Sequence, residues 1–407
     1  MATNSKRGVF LRGALGLALA LGACRARAAA PKASLAPASG TAEAPSVAAP
    51  RSAARAVKIG LVAPLSRGGV EATRTARLAL TEFNQGRKGA DKAELVVQDD
   101  KAGAAGALEA AESLCGDPGV LAVVLEGEEA ACPQALRAYR RAGLAVVCAS
   151  SFASPRPDSS TATWLCPTQE QMAAAAAQYC RHIRYKQVAT VEDGCDTAMA
   201  AAKAFVDSFR RSGGKVVFEG KWAGSEDGLQ RTVQTLKLDW PQAVFYAGPA
   251  RDAARLMLAM DKLKVPALLF GGPAIFGPDF LETAKLAAKH SMGYFPTPPF
   301  SRRRKASLEA YRAYFGYGGP GHWGPLIFEA TRLGLRAVDA AAKQGEAGRS
   351  GVLKALDSIQ EYDGIRGRVS FGPDRSPEDP RVAVYLAWNM VNSKRMRYLF
   401  RIYGPPF

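Results

Sequence analysis

The stretch VLAVVLEGEEAACPQALRAYRRAGLAVVC (120–148) holds a complete strand, helix and strand. Val120–Leu125 is a short, unbroken apolar run, the pattern of a strand buried on both faces. Pro133–Ala142 reads as a helix and Leu144–Cys148 as the returning strand. Two apolar strands joined by a helix imply a parallel βαβ unit. The same rhythm extends outward in both directions. Upstream, Val57–Val62 is a strand ended by Ala63-Pro64, and Arg74–Phe83 a helix with apolar residues at helical spacing. Glu94–Gln98 is a strand and Ala104–Leu114 a helix. Downstream the alternation stops and then restarts. Val188–Val191, Lys215–Phe218, Ala243–Ala247 and Ala267–Phe270 read as strands. Ala198–Arg211, Leu229–Leu236 and Arg251–Leu263 read as the helices between them. Two separate α/β runs predict two lobes, each with a mostly parallel sheet flanked by helices in the Rossmann manner. Further helices are expected at Ser307–Phe315, Pro325–Ala342 and Gly351–Ile359, and strands at Arg366–Phe371 and Val382–Asn389.

The segment before this body has a different character. Met1–Gly13 carries Lys6, Arg7 and Arg12 without an acid, and ALGLALALGA (14–23) is a small, apolar run. That run is too short for a membrane-spanning helix. A basic region followed by such a run is a secretory signal. It ends in Leu21-Gly22-Ala23-Cys24, which is similar to a lipobox. Residues 1–23 are therefore expected to be a lipoprotein signal peptide, with Cys24 the lipidated first residue of the mature protein. The competing reading is cleavage near Ala30 in Ala28-Ala29-Ala30, leaving a soluble periplasmic protein. Residues 24–56, rich in Ala, Pro and Ser, read as a flexible tether.

Composition narrows the function. The 407 residues contain 54 Lys and Arg against 37 Asp and Glu, a formal net charge of +17. Apolar residues make up 48% and charged residues 22%, as in a globular chain. The basic excess suggests nucleic acid or an anionic surface. Its densest cluster, Arg302-Arg303-Arg304-Lys305, follows a proline-rich turn and reads as a solvated helix start. An exported location makes anionic lipid or wall polymer the expected neighbour, and nucleic acid is not expected. No G-x-S-x-G, Walker loop, G-x-G-x-x-G after a strand, or H-E-x-x-H occurs. The three histidines lie far apart in sequence, so no hydrolytic triad, metal or cofactor is expected and the chain does not read as an enzyme. Beyond Cys24, the cysteines are Cys115, Cys132, Cys148, Cys166, Cys180 and Cys195. An even count in an exported protein favours disulfides, in pairings the sequence does not select. The alternative is buried thiols.

Several segments, taken in order, carry a resemblance. These are VKIGLVAPLS (57–66), ALTEFN (79–84), ELVVQDD (94–100), AGLAVVCASSFASP (142–155), WLCPT (164–168), SGGKVVFEG (212–220), AVFYAG (243–248), FEATRLGLRAV (328–338) and YDGIRGRVSFGPD (362–374). Together the chain from Val57 to about Tyr398 resembles type I periplasmic binding proteins, in particular the leucine/isoleucine/valine-binding branch of ABC-transporter substrate-binding proteins. The resemblance implies a first lobe of residues 57–165 and 297–360 and a second of 166–296 and 361–407, joined by a multi-strand hinge. It implies a monomer that closes on a small-molecule ligand, an amino acid or similar polar solute, and passes it to an ABC permease.

The resemblance also marks a pocket that differs from the family pattern. A family Ser after the third strand is replaced by the acidic loop Glu126-Gly127-Glu128-Glu129. The family Ala and Thr positions after the fourth strand match Ser151 and Ala153, beside Ser150. The lobe-two Tyr position falls near Thr197, and the lobe-two acid position is Asp252. Ser66 stands in a shortened first loop. Tyr246 and Phe295 are further candidates to line the cleft, Phe295 on a crossing between lobes. Each has a plainer role. Asp252 and Glu128 suit helix starts, Ser150 and Ser151 suit loop backbone groups, and Tyr246 and Phe295 suit packing. Carboxylates in place of hydroxyls disfavour an anionic group and point to a cationic or zwitterionic solute. An envelope lipoprotein of the same fold, with a regulatory or protein-interaction role and no transported ligand, is the alternative function.

Overall fold

The computed structural model describes residues 57–67, 69–88, 92–127, 129–150, 160–296, 309, 313, 323–364, 367–378, 381–386 and 397–403. The expected signal, tether and Cys24 lie outside these residues, as does nearly all of the expected 307–315 helix.

The first run forms the expected succession. It comprises β1 (Val57–Ala63), α1 (Gly69–Asn84), β2 (Ala93–Asp99), α2 (Ala104–Gly116), β3 (Val120–Leu125), α3 (Pro133–Arg141), β4 (Ala145–Cys148) and β5 (Ala162–Trp164). These strands make one parallel sheet in the order β2-β1-β3-β4-β5. α1 is closed by a side chain. Asn84 Nδ2 donates to the Ala93 carbonyl and its Oδ1 accepts the Ala93 N–H, each at 2.8 Å, fixing the helix end to the start of β2. β3 is buried at every position. Its residues split between two apolar layers, with Ala122 and Val124 on one face and Val123 and Leu125 on the other.

The second run comprises α4 (Gln169–His182), β6 (Gln187–Glu192), α5 (Asp196–Arg211), β7 (Lys215–Lys221), α6 (Glu226–Asp239), β8 (Ala243–Ala247), α7 (Ala250–Lys262), β9 (Leu268–Gly271), α8 (Pro278–Ala284) and β10 (Ser291–Phe295). After it come α9 (Gly324–Lys343), α10 (Arg349–Ser358), the hairpin β11 (Glu361–Gly364) and β12 (Gly367–Ser370), then β13 (Arg381–Leu386) and β14 (Arg397–Tyr403). The second sheet runs β14-β13-β10-β9-β8-β6-β7, with β6 to β10 parallel and the last two strands antiparallel. α9 and α10 return to pack on β3 and β4 of the first sheet. The expected strand at 366–371 is the second arm of the β11–β12 hairpin.

One apolar layer runs from beneath α1 and α9 to beneath α6 and α7 of the second sheet. Two further layers cover the opposite faces, one under α2 and α3 and one under α4 and α5. Arg375 clamps the hairpin region to the first sheet. Its guanidinium donates to Thr163 Oγ1 and to the carbonyls of Leu356, Asp357 and Ile359 at 2.5–3.3 Å.

The expected disulfides do not form. Cys115, Cys132, Cys148, Cys166, Cys180 and Cys195 are all thiols. Distribution separates three of them: Cys166 lies in the long central layer, Cys180 in the α4–α5 layer and Cys195 outside both, while Cys132 and Cys148, with Cys115 at the edge, share the α2–α3 layer with Tyr139 as packed thiols. Cys195 is exposed ahead of α5. The buried ones fill the core as small apolar side chains. Burial pushes the Cys180 thiol far above its ordinary pKa, which keeps it protonated and unreactive.

Candidate functional site

In open α/β sheets, ligands bind beyond the carboxyl ends of the strands where strand order reverses. The first sheet reverses between β1 and β3, and the second between β6 and β8. Polar side chains gather at both places.

At the first crevice, Leu65–Arg67 makes a single 3-10 turn after β1 and leaves Ser66 exposed. Asp99 holds this turn by accepting the Leu65 N–H at 3.1 Å. The chain leaves β3 at Glu126, whose N–H donates to the Val62 carbonyl at 2.9 Å. Gly127 then takes a left-handed conformation at φ +94°, a geometry that favours glycine. Its N–H donates to Ser150 Oγ at 2.5 Å. Ser150 thus ties the loop after β3 to the loop after β4.

Strand alternation puts Glu126 on the face of β3 that carries Ala122 and Val124, beneath α1. Its Oε2 is shut off from water and has no hydrogen-bond partner, although part of the residue stays accessible. Burial, reinforced by Asp100 and Glu71, pushes the Glu126 carboxyl up to about 7. Asp100 is fully buried at the end of β2, and its Oδ1 accepts the Ala102 N–H at 2.9 Å. Lys101 and Ala102 both have left-handed backbones, at φ +53° and +52°, a local strain that shapes the turn around Asp100.

At the second crevice, Glu192 accepts the Gly194 N–H and Asp193 the Cys195 N–H, folding the chain into α5. Thr197 is half-buried in the first turn of that helix. Tyr246, near the end of β8, is 2% exposed and packs its ring beside Trp222. Its Oη has no partner. Burial, then Asp252 and Asp193, raise its pKa far above the ordinary phenol value, so it stays a neutral donor. The hydroxyl crosses Gly248 so closely that a Cβ there would lie 2.6 Å from Oη. Asp252 lies in the first turn of α7 and pairs with Arg255 at 3.1 Å. Arg255 also donates to the Gly224 carbonyl at 2.6 Å and to Glu226 at 3.1 Å. Phe295 is buried between Trp323, at 4.7 Å, and Phe276, at 6.4 Å.

The structure therefore brings Ser66, Glu126 and Ser150 to one crevice and Thr197, Tyr246 and Asp252 to the other, with Phe295 in the packing. Glu128, Ser151 and Ala153 lie outside the described residues. Sequence reasoning did not single out Asp100 or Asp193, nor the Arg255 partner of Asp252. The Asp252–Arg255 spacing of three on one helix was the available signal for the last. Among the described residues, no group of three or more His, Cys, Asp or Glu side chains is placed to hold a metal ion.

Two α/β lobes, each with a polar crevice at its switch point, define a protein built to hold a small molecule. A sequence profile of periplasmic binding proteins matches residues 56–387, and the chain belongs to that family. Its fold is the one seen in a leucine binding protein, LivK, from Thermotoga maritima, with a TM-score of 0.70 and 18% identity over 85% of this chain and 99% of that one. It is equally similar to the branched-chain amino acid transporter substrate-binding protein LivJ from Streptococcus pneumoniae in complex with isoleucine, with a TM-score of 0.71 and 19% identity over 84% and 99% of the two chains. A solute-binding protein from Rhodopseudomonas palustris in complex with 3,4-dihydroxybenzoic acid has a TM-score of 0.65 and 21% identity over 82% and 93%. No curated protein sequence matches significantly.

Proposed function

We propose that the chain is an exported solute-binding protein that closes two lobes on a small polar solute and delivers it to an ABC permease, with the lipid on Cys24 holding it at the membrane. The observation that carries this reading is the pair of orphaned polar atoms at the two switch points, Glu126 Oε2 and Tyr246 Oη. A buried polar atom without a partner is destabilising, and a ligand or water that satisfies it recovers that loss. A solute touching both crevices favours the closed arrangement over the open one, because only the closed form lets it bond to both at once. Ser66, Ser150, Thr197 and Tyr246 are proposed to line the cleft, with Asp252 and Arg255 acting as an ion pair at its edge. The neighbours of this fold hold ligands as different as isoleucine and a dihydroxybenzoate, so the fold leaves the solute open.

A thermal-shift screen of the purified protein against amino acids, amides, amines and small carboxylic acids tests the reading. The expected result is a midpoint that rises with the concentration of one solute class. No shift with any solute, together with retention of an envelope protein on immobilised chain, would instead support the regulatory lipoprotein reading. Labelling with radioactive palmitate, lost in Cys24→Ala, is expected if Cys24 carries lipid.

A further inference from the structure

The first crevice has a charge pattern that specifies more than a polar solute. Three carboxyl groups converge there from three elements. They are Glu126 after β3, Asp100 after β2, and Glu71 in the first turn of α1. Among the described residues, no positive charge is set against Glu126. Lys101, on the same turn as Asp100, is drawn to Glu109 at 2.5 Å. Arg332 of α9 lies against Phe328 and faces Glu82. Glu126 Oε2 is closed to water without a hydrogen-bond partner, while part of the residue remains accessible. A buried carboxylate without a counter-charge is a costly arrangement unless a cation arrives from outside. The carboxyls are not gathered closely enough to chelate a metal ion, since the described residues contain no such group. They suit a larger organic cation whose several N–H donors are spread over a few ångströms.

We propose that Glu126, with Asp100 and Glu71, forms a subsite for the ammonium or guanidinium group of a small organic amine. This rests on the solute-binding reading and names the chemical class of its ligand. Binding is linked to protons. With its carboxyl held at about 7, Glu126 is mostly protonated at pH 6 and mostly ionised at pH 8. A cation binds the ionised form, so it expels a proton on binding below about pH 8 and binds more tightly as pH rises. Asp100 and Glu71, the acids that face Glu126, strengthen the attraction for the same cation.

The test is isothermal titration of the full chain with agmatine, putrescine and L-arginine, and with 4-methylpentanoate and 3,4-dihydroxybenzoate as anionic controls that carry no amine. At least one amine is expected to bind about tenfold more tightly at pH 8 than at pH 6. Its apparent enthalpy at pH 6.5 should vary between buffers of different ionisation enthalpy, which reads the released proton. Glu126→Gln should weaken that amine about tenfold or more at pH 8 and abolish the proton release. Glu71→Gln, on the exposed first turn of α1, should weaken it about threefold and keep the proton release. Circular dichroism checks that each variant is folded. If a control binds with an affinity unchanged by Glu126→Gln and none of the amines binds, the cation subsite is overturned while solute binding stands. An amine that binds equally at both pH values and equally to Glu126→Gln also overturns it. If neither the amines nor any member of the wider solute screen binds, both the subsite and the solute-binding reading fall.

Discussion

Glu126 illustrates how one residue type at one position changes a site. As a loop acid after a strand it is unexceptional. Placed under α1 beside Asp100 and Glu71, it becomes a carboxyl that the native protein prefers to keep protonated. The sign of the resulting pH effect follows directly. In the unfolded chain this carboxyl loses its proton near 4.5, whereas in the native protein it holds it to about 7. Between those values the native state binds more protons, so its stability falls as pH rises and remains lower above the upper value. The difference is on the order of 3 kcal/mol. Urea midpoints of the wild type and Glu126→Gln at pH 5 and pH 8 check this. The variant should lose most of that contribution to the pH slope and be the more stable protein at pH 8. Parallel pH slopes in the two proteins would show that Glu126 titrates normally. Asp252 shows the opposite case. Its position at the head of α7 invites a ligand role, but Arg255 holds its carboxylate on the same helix. Asp252→Ala is therefore expected to release Arg255 from one of its two acids and to shift solute affinity by a few-fold at most, read by titration with whichever solute the screen yields.

Elements were legible where a local pattern carried them. β3 is an unbroken apolar run between turn residues, and β8 was bounded correctly as Ala243–Ala247 from its apolar run alone. α4 was not, because MAAAAAQ offers no contrast between faces and so no helical period. Its start was nevertheless written in the chain. Thr168 Oγ1 accepts the Gln171 N–H at 3.2 Å, and Gln171 Oε1 accepts the Thr168 N–H at 2.9 Å, a reciprocal capping box. Thr168→Ala is expected to destabilise the protein by about 1 kcal/mol, read from its denaturant midpoint. β5 and β10 are short, and among the described residues β11 and β12 pair with each other, so their sheet partners are set by tertiary contacts the sequence does not display. The site was legible in the same limited sense. The acidic loop after β3 was visible, but the burial of Glu126 and its unpartnered Oε2 arise only when α1 and β2 fold against it. Distant elements also meet through single side chains. Arg349, at the start of α10, donates to the carbonyls of Leu114, Cys115, Asp117 and Val120 at 2.7–3.4 Å. These are the last carbonyls of α2 and the entry to β3. Hydrogen bonds from charged donors are worth more than neutral ones, so Arg349→Ala should lower stability by about 2 kcal/mol by the same measurement.

At the scale of the whole molecule, two sheets share one continuous apolar layer, and each has polar side chains at its switch point. The net charge of +17 describes the chain as a whole, whereas the first crevice is acidic. In the proposed role, a net basic chain suits an anionic envelope surface, and an acidic crevice suits a cationic group. In the proposed function, one solute engages both crevices together. Hydrogen–deuterium exchange, followed across the solute library, measures this most directly. The expected result is at least one solute that slows exchange at Glu126-Gly127 and Ala149-Ser150 after β3 and β4, and at the same time at Asp193-Gly194 and Gly248 after β6 and β8. If every solute leaves exchange unchanged, or protects the loops of one sheet while those of the other exchange as before, binding by closure of two lobes is contradicted.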